Sequence, residues 1–201
     1  MGKLKYNIKR MARVILRCTR DLIAPKDGVP RYAVKWKTLD KFFEHDCPVI
    51  ETGTYLGEST MYFAKRYTRV LSFEPFEELA RYNAQRFKDI SNIRIVNATS
   101  DKGLSDALDD YSCPINFWLD GHFSGAGTFG TLSDASPVLK ELEIIFSWAD
   151  KFRDVGARIA VDDARLFTGL DGYPSLHQLS ETCRKFNYEL KVKNDIFLIS
   201  K

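Results

Sequence analysis

A doubly wound, mostly parallel α/β sheet of seven strands, ending in a C-terminal antiparallel hairpin, is the fold class this 201-residue sequence predicts. Three observations predict it. From Val34 onward, short β-rich runs alternate with helix-like stretches, the pattern of parallel strands joined by crossover helices. Four of the first five strand-like runs end in a carboxylate, the place where such sheets carry their ligands. The last two runs flank Asn194-Asp195, a pair suited to a tight hairpin turn. The length fits one domain with helices on both faces of a central sheet.

The organisation begins with a basic segment. Met1 to Arg20 carries seven cations and no acid, which leaves 23 cations against 27 acids, net −4, in the remainder. A body of that sign lacks the continuous basic surface of a nucleic-acid groove, so no nucleic-acid partner is expected. Leu4, Ile8, Met11, Ile15, Cys18 and Leu22 recur at spacings of four and three, the apolar stripe of an amphipathic helix that should end before Pro25. That helix suits packing on its own domain or in a homodimer first, and peripheral contact with an anionic membrane second. Residues 1–30 are therefore read as helix and linker, and 31–201 as one domain. Cys18, Cys47, Cys113 and Cys183 are scattered without CxxC spacing, as in a cytoplasmic protein with reduced thiols. No apolar run approaches the ~20 residues of a membrane span.

Strands are expected at Val49 to Glu51, Val70 to Glu74, Ile93 to Asn97, Ile115 to Asp120 and Ile159 to Asp162, then Tyr188 to Val192 and Ile196 to Ile199. Helices fit between them at Ser59 to Arg66, Glu77 to Phe87, Gly103 to Asp109, Ser136 to Phe146 and Ser175 to Lys185.

The first strand leads into Glu51-Thr52-Gly53-Thr54-Tyr55-Leu56-Gly57, and Ser59 opens the next helix. Glycines at 53 and 57 let the backbone turn sharply beside a ligand, and they also suit an ordinary strand-to-helix turn. GxGxxG is absent, and Glu51 stands where a pyrophosphate needs N–H groups and a positive helix end. The second strand ends at Glu74, 23 residues after Glu51, near the ~20-residue offset of a ribose-gripping carboxylate. A nucleoside without phosphates satisfies both acids.

At this point the chain resembles class I methyltransferases, in which an E/DxGxxxG loop and an acid ending the second strand bind S-adenosylmethionine. The resemblance covers roughly Pro48 to Lys201 and implies a Rossmann-like seven-stranded fold. It implies that Glu51, Gly53, Thr54, Tyr55, Gly57 and Ser59 bind the amino acid part of the cofactor and Glu74 its ribose. Thr99 and Ser100, after the third strand, fall at the adenine position, with Thr99 in place of the usual acid.

The fourth and fifth strands end at Asp120 and at Asp162-Asp163. Neighbouring strands lie ~4.8 Å apart, so these carboxylates should converge, and like charges that close call for a cation. Oxygen ligands of this kind suit Mg²⁺. The arrangement is similar to metal-dependent O-methyltransferases of the catechol and macrocin types. That likeness implies Asp120, Asp162 and Asp163 as metal ligands, Asp120 also beside the cofactor, and His122 as the base. The spacing from Asp120 to His122 is one residue shorter than in the macrocin type, and Asp162-Asp163 replaces the Asp-Asn of the catechol type. Asp163 also suits a bond to Arg165 that caps the following turn. Phe123, Phe129 and Tyr173 sit in loop-like stretches that could cover an acceptor, whereas His45 and His177 have no ligand-like neighbours.

The function read from the sequence is S-adenosylmethionine-dependent O-methylation of a small hydroxylated acceptor, such as a sugar or glycan precursor, with Mg²⁺. Rivals are a metal-independent methyltransferase, a nicotinamide oxidoreductase and a non-catalytic cofactor-binding protein.

Overall fold

The computed structural model describes residues 30–121, 136–151 and 156–201. In chain order the strands are β1 (Val49–Thr52), β2 (Val70–Phe73), β3 (Ile93–Val96), β4 (Ile115–Leu119), β5 (Ala157–Val161), β6 (Glu189–Lys193) and β7 (Ile196–Ser200). The helices are α1 (Tyr32–Phe42), α2 (Glu58–Ala64), α3 (Glu77–Arg86), α4 (Ser100–Ala107), α5 (Val138–Lys151) and α6 (Leu176–Lys185). They build one seven-stranded sheet in the order β3-β2-β1-β4-β5-β7-β6. β7 runs antiparallel to both neighbours, and every other pair is parallel. All seven expected strands are present, with ends moved by one or two residues. The hairpin turn places Asn194 at φ 52° and Asp195 at φ 64°, the left-handed pair that matches strand twist. α1 was not expected from the sequence. The basic segment Met1 to Arg20 lies outside the described residues. Among those described, no helix is long and apolar enough to cross a membrane, and Cys47, Cys113 and Cys183 are unpaired.

The central strands are buried on both sides, so they read as apolar runs without alternation. Alternation instead divides two cores. Val49, Val70, Trp118, Ala160 and Ile196 face α1 and α2, meeting Leu39, Phe43 and Phe63. Ile50, Leu71, Phe117, Leu119 and Ile159 face the opposite way, onto Leu104 of α4, Leu142 and Phe146 of α5 and Leu179 of α6. The outer strand β6 is largely exposed, and Glu189, Lys191 and Lys193 guard its open edge with charge.

α4 contains Gly103, and the reason is steric. A Cβ there would lie 2.4 Å from the ring of Phe73, which is fully buried at the end of β2. Gly103→Ala, a change that gains ~1 kcal/mol in an open helix, should therefore destabilise by about 1–3 kcal/mol through overpacking. Urea denaturation of the variant against wild type measures the sign.

Candidate active site

The strand registers define one row of residues just beyond the carboxyl edge. Gly53 donates to Phe73 O at 3.0 Å, Glu74 to Val96 O, Asp120 to Thr52 O and Asp162 to Leu119 O. Glu74, Gly53, Asp120 and Asp162 thus stand side by side on adjacent strands. By strand alternation Glu74, Asp120 and Asp162 belong to the face covered by α1 and α2, together with Glu51. A backbone without a side chain occupies the middle of this row. A Cβ on Gly53, whose φ is 86°, would sit 2.6 Å from the carbonyl oxygen of Asp120.

The loop after β1 is held from below and from one side. Gly57 adopts φ 75°, and a Cβ on it would meet Asn83 Oδ1 and the Phe87 ring at 2.6 Å, so α3 packs directly on the loop backbone. Asn83 Nδ2 donates to Tyr55 O at 2.6 Å, and Arg86 donates to Leu56 O. The amides of Gly53, Thr54, Tyr55 and Gly57 are all engaged inside the protein, on Phe73 O, Phe73 O, Glu74 and Thr54 O. Such a loop offers no cradle of free amides to a pyrophosphate, as the missing GxGxxG implies.

Glu51 lies beneath this loop, fully buried. Its carboxylate accepts from Ser59 Oγ, from Thr60 Oγ1 at 2.5 Å and from Ser72 Oγ at 2.6 Å, and Ser72 is within 2.6 Å of Thr54 Oγ1. Glu51 and Ser59 therefore fasten α2 and β2 to the loop. Burial pushes the Glu51 carboxyl up to about 7 against the pull of the Ser59, Ser72 and Thr60 hydroxyls, and Asp120 adds to the push. An unfolded chain ionises Glu51 near its ordinary 4.5. As pH rises from there to about 7 the folded chain keeps a proton that the unfolded chain has released, so stability falls across that window. The loss reaches about 3 kcal/mol and is complete above the folded pKa. Glu51→Gln should flatten this slope, which melting temperatures between pH 5 and 8 would show.

Glu74 is buried and takes the Tyr55 amide at 2.8 Å on one oxygen and the Phe76 amide at 2.9 Å on the other. Burial raises its pKa, while the Phe76 and Tyr55 amides oppose the rise. Two of roughly four acceptor directions are used, which leaves capacity for a vicinal diol. Thr52 Oγ1, buried at the end of β1, has no hydrogen-bond partner among the described residues. Thr99 precedes α4 and Ser100 is its first residue, beside Asn97, which donates to Glu74 O at 2.8 Å. The expected adenine segment is thereby tied to the expected ribose acid.

The carboxylates expected at a reaction centre converge as their strands require. Ligand atoms of Asp120, Asp162 and Asp163 all lie within 4.8 Å of one another. They are accompanied by Arg165, which the sequence placed beside Asp163, and by Lys35 and Asp195, which it did not. Lys35 of α1 donates to Asp162 Oδ1 and, at 3.0 Å, to Asp163 Oδ1, and lies 3.6 Å from Asp195 Oδ2 of the hairpin turn. Arg165 donates to Asp163 Oδ1 at 2.7 Å and to Asp195. The expected bond between Asp163 and Arg165 is thus present. Burial pulls the Lys35 ammonium down, but Asp162 and Asp163 more than offset it and hold it charged. Burial, Asp120 and Asp163 push the Asp162 carboxyl upward against Lys35. Tyr173 also faces the centre, its pKa raised by burial and by Asp163 and Asp120. His122, Phe123 and Phe129 lie outside the described residues. His45 is not at the site: its ring stacks on Tyr67, and Nε2 is 3.1 Å from Asp40 O.

No family model and no curated protein matches the sequence. Solved structures do match in fold. Precorrin-6y C5,15-methyltransferase from Geobacter metallireducens is 15% identical, with 88% of this chain and 93% of that one covered and a TM-score of 0.55. The O-methyltransferase TomG of tomaymycin synthesis from Streptomyces achromogenes, in complex with SAM, is 17% identical over 90% of this chain and 84% of that one, TM-score 0.51. The 23S rRNA methyltransferase ErmE is 19% identical over 86% and 68%, TM-score 0.50. At such identities the likeness is one of architecture, and the architecture of this chain is the Rossmann-like sheet with a C-terminal antiparallel hairpin found in methyltransferases.

Proposed function

We propose that the chain is an S-adenosylmethionine-dependent O-methyltransferase acting on a small hydroxylated acceptor, a sugar or glycan precursor first. The observation that carries this reading is the row Glu74, Gly53, Asp120 and Asp162. In this reading Glu74 is the ribose acid on one side of the side-chain-free Gly53, and Asp120 and Asp162 are the reaction centre on the other. The donor set fits a nucleoside without phosphates: Glu74 retains acceptor capacity, Thr52 Oγ1 has no partner among the described residues, and the amides of Gly53, Thr54, Tyr55 and Gly57 are already bonded. It does not fit the nicotinamide dinucleotide of an oxidoreductase, because acids line the row and no amide cradle is offered. S-adenosylmethionine, when bound, supplies an electrophilic methyl group on a sulfonium.

The chain's own residues then have these roles. Glu74 accepts from the ribose hydroxyls, and the Thr99-Ser100 segment borders the base. Gly53, Thr54, Tyr55 and Gly57 form the wall for the amino acid part, braced by Glu51 and Ser59 from beneath. Asp120 borders both cofactor and acceptor. His122, two residues further along the chain, takes the proton from the acceptor hydroxyl. Orientation of the two reactants supplies much of the rate.

Mg²⁺ fits this centre poorly. The ion needs carboxylate oxygens at 2.0–2.1 Å in octahedral array, whereas Asp162 Oδ1 already accepts from Lys35 and Asp163 Oδ1 from both Lys35 and Arg165. No step through a metal is therefore included, and the metal-independent form is preferred.

Methyl-labelled S-adenosylmethionine offered with sugars, glycan precursors, phenols and RNA tests the function. Label should enter a small hydroxylated acceptor and depend on Asp120 and His122. Label in RNA alone would overturn the acceptor class, and no transfer to any acceptor with S-adenosylmethionine bound would favour a cofactor-binding protein without catalysis.

A further inference from the structure

We infer that Lys35 is the resident cation of the acidic centre, a positioning residue whose ammonium takes the place between Asp162 and Asp163 that a divalent metal would need. The inference deepens the proposed function and rests on its assignment of Asp120, Asp162 and Asp163 to the reaction centre. Lys35 is 3% exposed, a rare state for a lysine unless it is paired. An ammonium has three protons, and three carboxylates face it: Asp162, Asp163 at 3.0 Å and Asp195 at 3.6 Å. Two of the protons are hydrogen-bonded, to Asp162 and Asp163, and Asp195 stands just beyond that distance as an ion-pair partner.

The helix that carries Lys35 is fixed at both ends and along its length. Trp36 stacks on Tyr62 of α2 with ring centroids 4.5 Å apart, and Tyr62 OH donates to Trp36 O. Thr38 accepts from Asn194 Nδ2 at 2.8 Å, which ties α1 to the turn that supplies Asp195. Leu39 is fully buried against the sheet. Beyond α1, the Glu44 amide donates to Asn116 Oδ1 at the far end of β4, and Asn116 Nδ2 returns a bond to Glu44 O. α1 therefore spans one sheet face and delivers the ammonium at the carboxyl edge. Asp162 Oδ1 also accepts the Asp163 amide at 2.8 Å, so the same oxygen that faces Lys35 orders the turn following β5. Lys35 thus binds together α1, the end of β5 and the hairpin turn. The carboxylates keep their approach to one another because a covalently supplied cation sits among them.

A direct readout is Mn²⁺ binding followed by electron paramagnetic resonance, which does not depend on turnover. Wild type should bind no Mn²⁺ at the centre, and its transfer activity should survive EDTA. Lys35→Ala, which removes the ammonium and leaves space among the carboxylates, should gain a Mn²⁺ site at least about 10-fold tighter than anything in wild type. Asp162→Asn added to it should abolish that site, and Lys35→Met, which fills the space, should not create one. A Mn²⁺ site in wild type that Asp120→Asn removes would overturn the inference, as would a folded Lys35→Ala chain that binds no Mn²⁺. If Lys35→Ala does not fold, the wild-type titration against Asp120→Asn decides alone. S-adenosylhomocysteine titrated into the same samples reads the methyltransferase proposal separately, since its failure to bind would sink that proposal and leave the Mn²⁺ result standing.

Discussion

Replacing Asp162 by alanine is expected to lower folding stability by about 3–5 kcal/mol, the range found when one partner of a buried ion pair is removed. Asp162 and Lys35 are 4% and 3% exposed, so the ammonium cannot turn to water when its first carboxylate is lost. Asp163 and Asp195 remain within 3.6 Å, but Arg165 draws on both. The Asp163 amide loses its acceptor as well. The check is a double-mutant cycle by chemical denaturation. Lys35→Met combined with Asp162→Leu should recover most of the loss, because apolar groups of similar size do not leave a charge stranded. Single-variant losses that simply add in the double variant would show that the pair does not act as a unit.

Gly53→Ala should have the next largest effect, and it should reach binding as well as stability. A side chain at φ 86° costs roughly 1–2 kcal/mol on its own. The new methyl would also meet the carbonyl oxygen of Asp120 at 2.6 Å and the Cα of Gly121 at 3.0 Å. Those are backbone atoms at the end of β4 and cannot swing aside as a side chain would. Forced separation moves the loop away from Asp120, which is the spacing the proposed cofactor would span. A total of about 2–4 kcal/mol of stability, together with loss of S-adenosylhomocysteine binding, is the expected result. Thermal melting with and without that ligand separates the two losses.

The sheet and its row of acids were legible because they are local. Each strand is a short apolar run that ends at a turn-forming polar residue, and Glu51, Glu74, Asp120 and Asp162 mark those ends one by one. Parallel neighbours in register then bring Asp120 and Asp162 together without further information. The Asn194-Asp195 turn was legible from two residues. Lys35 was not, because its partners are 127, 128 and 160 residues away and reach it only through α1 and the hairpin. A faint signal was present: Lys35 shares a helical face with Thr38, Leu39 and Phe42, at i, i+3, i+4 and i+7, so a charge stands within an apolar stripe. The position of Glu51 was half legible. Ser59 and Thr60 follow it within one turn of α2, but Ser72 comes from the strand beside it, and the three together make Glu51 the brace under the loop. The acid cluster asked for a cation; the sequence reading expected a metal, and the fold brings Lys35 into ion pairs with Asp162 and Asp163.

Calorimetric titration of S-adenosylhomocysteine into wild type and Glu74→Ala tests the central reading most directly. One ligand should bind per wild-type chain, and Glu74→Ala should weaken it at least about 10-fold, or 1.4 kcal/mol, by removing the carboxylate that holds the ribose. Equal affinity in the two proteins, or binding of a nicotinamide dinucleotide with none of S-adenosylhomocysteine, would contradict it.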